Sequence, residues 1–230
     1  MMRVAALHDV HGNLPALEAV LAEVSTLEVD RIVCGGDAVA GPFPRECLER
    51  LVDVGAVFVR GNADRESPRA PAGTWEWIVS NLDPLSLEFL SKLPQSVSLG
   101  GVLYCHGSPR DDDEILTRVS SDERFRAALE GVEERLVVGG HTHVQFERTI
   151  DGMRFVNAGS VGIPYEGRQG AFWALVDGDV ADLRHTPYAV DAAAAVIRTS
   201  GYPGADQIVD WLLAPHDPDE VSAYFESVAT

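Results

Sequence analysis

Five short stretches deliver Asp, His and Asn at the ends of apolar runs. Val4-Ala5-Ala6-Leu7 leads into His8-Asp9-Val10-His11, Ile32-Val33-Cys34 into Gly35-Gly36-Asp37, and Val57-Phe58-Val59 into Arg60-Gly61-Asn62. Val102-Leu103-Tyr104-Cys105 leads into His106-Gly107, and Leu136-Val137-Val138 into Gly139-Gly140-His141-Thr142-His143. An apolar run bounded by glycine reads as a buried strand, and open α/β sheets place their chemistry just past the carboxyl ends of such strands. Asp37 is therefore a candidate site residue on position alone. A lone histidine is more often structural than a ligand. Five strand ends carrying imidazole, carboxylate and amide groups in one order describe a metal cluster built from distant sequence.

The elements that must position these groups are legible in the periodicity. After the first run, Asn13 and Pro15 cap and open a helix with apolar residues at Leu14, Leu17, Val20, Leu21 and Val24. Strand, helix and the strand before Asp37 make a βαβ unit, which crosses over right-handed. A second helix starts at Pro42-Phe43-Pro44 and ends near Gly55. Residues 64–93 turn polar, with Pro68, Pro71, Trp75 and Trp77, before a helix start at Asp83-Pro84. Both tryptophans read as core packing rather than as stacking platforms for a leaving group. This stretch and residues 107–120 are the expected pocket walls. The run Asp111-Asp112-Asp113 reads as a solvated loop face and not as ligands, because adjacent side chains rarely converge on one ion.

Residues 96–105 form a hairpin about Gly100-Gly101, and 122–129 a helix. Residues 145–184 alternate in strands with turns at Asp151-Gly152 and Asp177-Gly178-Asp179, so this half is antiparallel where the first is βαβ. Three helices follow at 192–198, 206–213 and 220–228. The expectation is one domain over 1–230, with a catalytic part at 1–185 and a helical extension at 186–230.

Composition sets limits on partners. The chain has 230 residues, 46 % hydrophobic, enough for an ordinary core, and a formal net charge of -18. Such a surface does not track duplex nucleic acid, which needs arrayed Lys and Arg. The cysteines, Cys34, Cys47 and Cys105, are odd in number and suggest no disulfide framework. No apolar run approaches membrane-spanning length. A cytoplasmic protein without membrane contact is expected, with a homo-oligomer left open.

Together, Asp9-x-His11-Gly12-Asn13, Gly36-Asp37 with Gly41-Pro42, Gly61-Asn62-Ala63-Asp64, His106-Gly107 and Gly140-His141-Thr142-His143 resemble the five blocks of the calcineurin-like metallophosphoesterases. Asn157-Ala158-Gly159-Ser160 resembles a further block of their small bacterial and archaeal phosphodiesterase branch. The resemblance covers about three quarters of the chain and leaves the C-terminal helices outside. It implies an α/β fold, a four-layer αββα sandwich of two mixed sheets.

By position it implies that Asp9, His11 and His143 hold one divalent metal, that Asn62, His106 and His141 hold another, and that Asp37 bridges them. Nitrogen and oxygen donors without thiolate suit Mn or Fe, with Zn, Co and Ni as alternatives. Two ions ~3.5–4 Å apart, bridged by a hydroxide, would hydrolyse a small phosphoester or nucleotide substrate and make the pocket locally positive within an acidic protein. A phosphodiesterase is the first reading. A dinucleoside polyphosphate hydrolase, a phosphomonoesterase and a non-catalytic metal-binding scaffold are the alternatives.

Many relatives carry a histidine where this chain has Ala63, and the resemblance assigns that histidine to protonating the leaving group. By sequence proximity Asp64 and His8 are the candidate substitutes. Asn13 reads as a cap near the metals, Asn157 and Ser160 as residues that orient ligands or shape a turn, and Arg168 as a candidate phosphate contact.

Overall fold

The computed structural model describes residues 2–66 and 72–229, so Pro68 and Pro71 lie outside the described residues. Strand β1 (Arg3–Leu7) pairs in parallel with β2 (Arg31–Cys34), Val4 opposite Arg31 and Leu7 opposite Cys34. The crossover between them is α1 (Leu14–Val24), which begins where the Asn13 side chain accepts the Ala16 N–H and Pro15 occupies the first turn. Its buried residues, Ala16, Leu17, Val20, Leu21 and Val24, are the stripe that a 3.6-residue period presents to one face. Helix α2 (Pro44–Asp53) returns the chain to β3 (Val57–Phe58), parallel to β2. A turn of 3-10 helix at Asn62–Asp64 follows, then α3 (Thr74–Asn81) and α4 (Pro84–Ser91), the latter capped by Asp83.

The chain then builds a second sheet from β4 (Ser96–Leu99), β5 (Val102–Cys105), β6 (Leu136–Gly139), β7 (Phe146–Ile150) and β8 (Met153–Asn157), with α5 (Asp122–Ala128) before β6. It returns to the first sheet through β9 (Ala171–Asp177) and β10 (Val180–Thr186), and ends in α6 (Val190–Arg198), α7 (Ala205–Leu213) and α8 (Pro218–Val228). The strand orders are β10-β9-β1-β2-β3 and β4-β5-β6-β8-β7. In each sheet parallel strands meet an antiparallel edge, because the hairpins append to the βαβ strands. The β4–β5 and β7–β8 turns use Gly100-Gly101 and Asp151-Gly152, all with positive φ, the geometry that lets two residues reverse a twisted pair.

Alternation divides the core into layers. Val4, Ala6 and Val33 of the first sheet meet Tyr104, Val138 and Val156 of the second, while Leu7, Cys34 and Trp173 turn outward to Leu17, Val20 and Leu51. On the far side Leu103, Val137 and Phe155 pack against Phe125 of α5. Each buried Val, Leu or Phe among these contributes about 1.5–3 kcal/mol of transfer free energy. The result is the expected four-layer αββα sandwich, with the strand ends of both sheets opening on one edge. A separate cluster, Ile163 with Ile197, Ile208, Val209 and Leu212, seats α6 and α7 beside that edge. Trp77 donates its indole N–H to Gly41 O and meets Tyr202 edge-on, and Trp75 packs on the first-sheet core, as the packing reading expects. Among the described residues no helix is long and apolar enough to cross a membrane.

Candidate metal centre

At the open edge the strands do not simply stop. Backbone pairing runs on between loops: Asp9 N to Gly36 O, His11 N to Asp37 O, Gly140 N to His106 O, Gly162 N to Asp9 O and Ala158 N to Gly139 O, all 2.8–3.1 Å. These bonds join both sheets into one platform. Among the described residues, the non-glycine positions with positive φ are Asp9, His11, Asp37, His141 and His143, plus Asp151 in its hairpin turn. Left-handed backbone at a non-glycine residue costs of order 1–3 kcal/mol, and such strain collects at sites where surrounding structure enforces it. Here it turns five of the seven candidate ligands toward one point.

The imidazoles arrive with defined tautomers. Nδ1 of His11, His106 and His143 lies 3.2, 3.0 and 2.6 Å from the carbonyl oxygens of Ala40, Gly35 and Ile163, so each Nδ1 donates and each Nε2 is left to take a cation or a proton. Those Nε2 atoms face other acceptors. His11 Nε2 stands 3.1 Å from His143 Nε2, and Asp9 Oδ1 lies 3.2 Å from His143 Nε2 and 3.8 Å from His11 Nε2. His106 Nε2 stands 3.0 Å from Asn62 Oδ1, 3.4 Å from Asp37 Oδ2 and 3.8 Å from Asp9 Oδ1. Acceptors held this close in a buried site repel one another unless a cation sits among them, and ligand atoms about 2.0–2.2 Å from one ion are naturally about 3 Å apart.

Among the described residues two groups have the spacing to hold an ion, Asp9 with His11 and His143, and Asp9 with Asp37 and His106. Asp37 Oδ2 is also 3.6 Å from His11 Nε2, so both carboxylates reach both groups. The ring of His141 stands 5.1 Å from that of His106, and its Nε2 is buried without a hydrogen-bond partner among the described residues, as is Asp9 Oδ1. The donor set fits two divalent ions.

The electrostatics agree. Burial alone would raise the Asp9 carboxyl, but His143 and His106 pull it far below the usual carboxylate range. Burial alone would lower His106, yet Asp37 and Asp9 raise it to about 10. Without ions, a proton is therefore held where positive charge is demanded. Burial, then His106, lowers His141 to about 4, leaving a neutral imidazole able to ligate.

Supporting side chains hold the loops. Asn157 donates to Gly140 O (2.6 Å) and Thr142 Oγ1 (3.0 Å), fixing the loop that carries His141 and His143. Ser160 donates to Asp9 O and accepts the N–H of Ile163, whose carbonyl orients His143. Asn13 caps α1 and donates to Gly162 O.

Other expectations are corrected. His8 is fully buried, its Nε2 3.0 Å from Cys105 O, and its ring lies beneath Gly35 and Gly140, so it supports the platform and faces no substrate. A Cβ on Gly35 would lie 2.0 Å from the His8 ring, which is why glycine stands there. Asp64 also points away from the pocket. Its two oxygens accept the amides of Asp37, Ala38, Val39 and Gly61, so it ties the Asp37 loop to the Asn62 turn. Burial, then the neighbouring Asp37 carboxylate, pushes it up to about 7 against the pull of those amides. Arg168 lies over the Phe172 ring and does not line the pocket. The triple aspartate is not one solvated face: Asp112 is buried and pairs with Arg60 and Arg65 at 2.6 Å, Asp113 Oδ1 is 3.9 Å from His141 Nε2, and only Asp111 is exposed.

Above the ligands lies a cavity of about 230 Å³. Asn62 and Ala63 face it at the floor, with Thr74 from the expected wall segment, but residues 107–120 contribute none of the described lining. The rest of the described wall includes Tyr165, Tyr202, Gln207, Ile208 and Trp211, chiefly from the C-terminal region. Sequence alone leaves the role of those helices open. Their apolar periodicity marks the face that packs on the body, whereas Trp211 and Tyr202 carry no mark that separates a pocket wall from a core.

A two-sheet αββα sandwich with paired Asp/His metal groups on its strand-end loops is the architecture of a dinuclear metallohydrolase. The chain belongs to the calcineurin-like phosphoesterase superfamily, whose domain model matches residues 2–179. Phosphodiesterase YfcE of Escherichia coli K12 is 26% identical over 197 residues, 80% of this chain and 91% of that protein. An uncharacterized protein of Methanocaldococcus jannaschii is 27% identical over 205 residues, 76% of this chain and 82% of its own. The crystal structure of a metallophosphoesterase from Sphaerobacter thermophilus is 28% identical and superposes with a TM-score of 0.78, covering 93% of this chain and 98% of that one.

Proposed function

We propose that this protein hydrolyses small phosphodiesters at a dinuclear centre held by Asp9, His11, Asp37, Asn62, His106, His141 and His143. The observation that carries the reading is the set of imidazoles whose Nδ1 atoms are committed to carbonyls and whose Nε2 atoms face Asp9, Asp37 and Asn62. Divalent ions bound there supply Lewis acidity and the low-pKa water that phosphoester hydrolysis uses. Nitrogen and oxygen donors make Mn or Fe our choice, with Zn, Co and Ni as the ions to test against them.

The walls favour a diester. Divalent ions held at the floor would supply positive charge for one phosphoryl group, and the described wall is chiefly apolar and aromatic, which suits a substrate with one negative charge and two organic arms. Tyr165, Tyr202 and Ile208 give those arms apolar contact. At about 230 Å³ the cavity is small beside the ~300–1,000 Å³ of ordinary ligand pockets, which supports a small substrate over duplex nucleic acid. With Ala63 in place of an imidazole, no side chain at that position protonates the leaving group, so esters of acidic alcohols react best. The three cysteines are free and buried, which supports a reducing, cytoplasmic setting.

The test is a metal-stripped protein reconstituted with each ion and assayed on bis(p-nitrophenyl) phosphate, p-nitrophenyl phosphate and a dinucleoside polyphosphate. The diester should be hydrolysed at least about tenfold faster in kcat/KM with Mn or Fe. Faster monoester or polyphosphate turnover would replace the assignment with one of those activities. No hydrolysis with any ion would leave a scaffold.

A further inference from the structure

The geometry points to a second subsite: the cleft between α7 and α8 takes the flat heterocycle of a nucleoside-type phosphodiester. It rests on the phosphodiesterase reading. The cleft, about 320 Å³, is lined by Tyr165, Trp211, His216, Glu220, Val221 and Tyr224. Tyr165 and Trp211 also line the reaction cavity, so the two spaces adjoin at that aromatic pair. A substrate with its phosphorus at the floor would reach the cleft by carrying one arm over this shared aromatic wall.

Tyr165 is fixed for that task. Its ring stacks on His143 (centroids 5.1 Å, planes 17° apart) and makes T-shaped contacts with Trp211 at 6.1 Å and His216 at 5.5 Å. The Gly167 N–H donates to His216 O at 2.9 Å, tying the loop before α8 to the loop that carries Tyr165. Tyr224, which α8 contributes to the lining, is 64% exposed, a large ring left mostly in water. Aromatic surfaces on two helices around one cleft suit a flat ring, and base–aromatic stacking tolerates any base because every base has a π-face. The Glu220 carboxylate in the described lining disfavours a second phosphate, so the occupant is an uncharged ring. The Glu220 carboxylate at the rim accepts hydrogen bonds only, which favours rings that offer N–H donors, as guanine does.

Two activated diesters with the same p-nitrophenyl leaving group, one carrying guanosine and one a methyl group, separate this subsite from the chemistry. The ratio of their kcat/KM values should favour the guanosine ester in the native protein and fall about tenfold in Tyr224→Ala, with Tyr224→Phe restoring it. An unchanged ratio in Tyr224→Ala, or equal loss on both esters, overturns the proposal. Saturation-transfer NMR of guanosine with the metal-free chain gives a second readout. Transfer to the base in the native protein, lost in Tyr224→Ala, supports the subsite, and its absence in the native protein overturns it. If neither ester is hydrolysed with any ion, the phosphodiesterase reading falls, and the guanosine spectra still decide the cleft.

Discussion

The floor of the pocket and its C-terminal wall are built on different principles. At the floor, backbone specifies function: loops pair beyond the strand ends, five candidate ligands adopt left-handed φ, and glycines stand where a Cβ would collide. On Gly162, for example, a Cβ would lie 1.9 Å from Val10 O. The wall instead is ordinary helix, seated by Ile197, Ile208, Val209 and Leu212 and turning Gln207 and Trp211 to the cavity, with Tyr202 from the connection before α7. Among the described residues none of α6, α7 or α8 contains a non-glycine residue with positive φ. The floor is thus over-determined and the wall exchangeable. In such a molecule the reaction type is fixed by the first sheet's loops and their partners, while substrate choice can change by substitution on a helix face.

The contrast can be broken first at its strongest point. Asp37→Asn removes the carboxylate that reaches both metal groups and should lower diester kcat/KM by at least about 10³-fold, with one ion per chain lost by mass spectrometry. Retained activity would show that Asp9 alone joins the groups. Asn157→Ala leaves every ligand in place but frees the His141–His143 loop, so metal affinity should fall by about 10–100-fold in a chelator competition.

Asp64→Asn sharpens the role of that residue as a backbone tie. An amide NH₂ group would face amide donors, so stability should fall by about 1–3 kcal/mol in urea titration while the pH profile keeps its shape. A lost alkaline limb with unchanged stability would instead make Asp64 the proton donor. Gln207→Ala, on the wall, should alter KM by only about two- to fivefold and leave metal content intact, consistent with loss of one solvent-screened hydrogen bond.

The same division explains what can be read in the chain. Asp37, His106 and their counterparts are legible because strand ends are marked twice, by an apolar run and by the glycine that ends it. Hairpins at Asp151-Gly152 and Gly100-Gly101 are legible because only certain residues take positive φ in a two-residue turn. His8 and Asp64 mislead as proton donors because neighbours in sequence can point to opposite sides of a platform: Asp9 faces the cavity side, while His8 alternates to the side beneath Gly35. Asp112 looks solvated because its partners, Arg60 and Arg65, are distant in sequence. The wall is invisible for a related reason. Tyr165 and Trp211 meet the floor only through tertiary packing, and an aromatic residue looks alike in a core or a pocket until its neighbours are known.

Anomalous diffraction from crystals soaked in manganese tests the dinuclear centre most directly. Two peaks per chain about 3.5–4 Å apart are expected, one among Asp9, His11 and His143, the other among Asn62, His106 and His141, with Asp37 between them. A single peak, or ions bound elsewhere while diester hydrolysis persists, would contradict it.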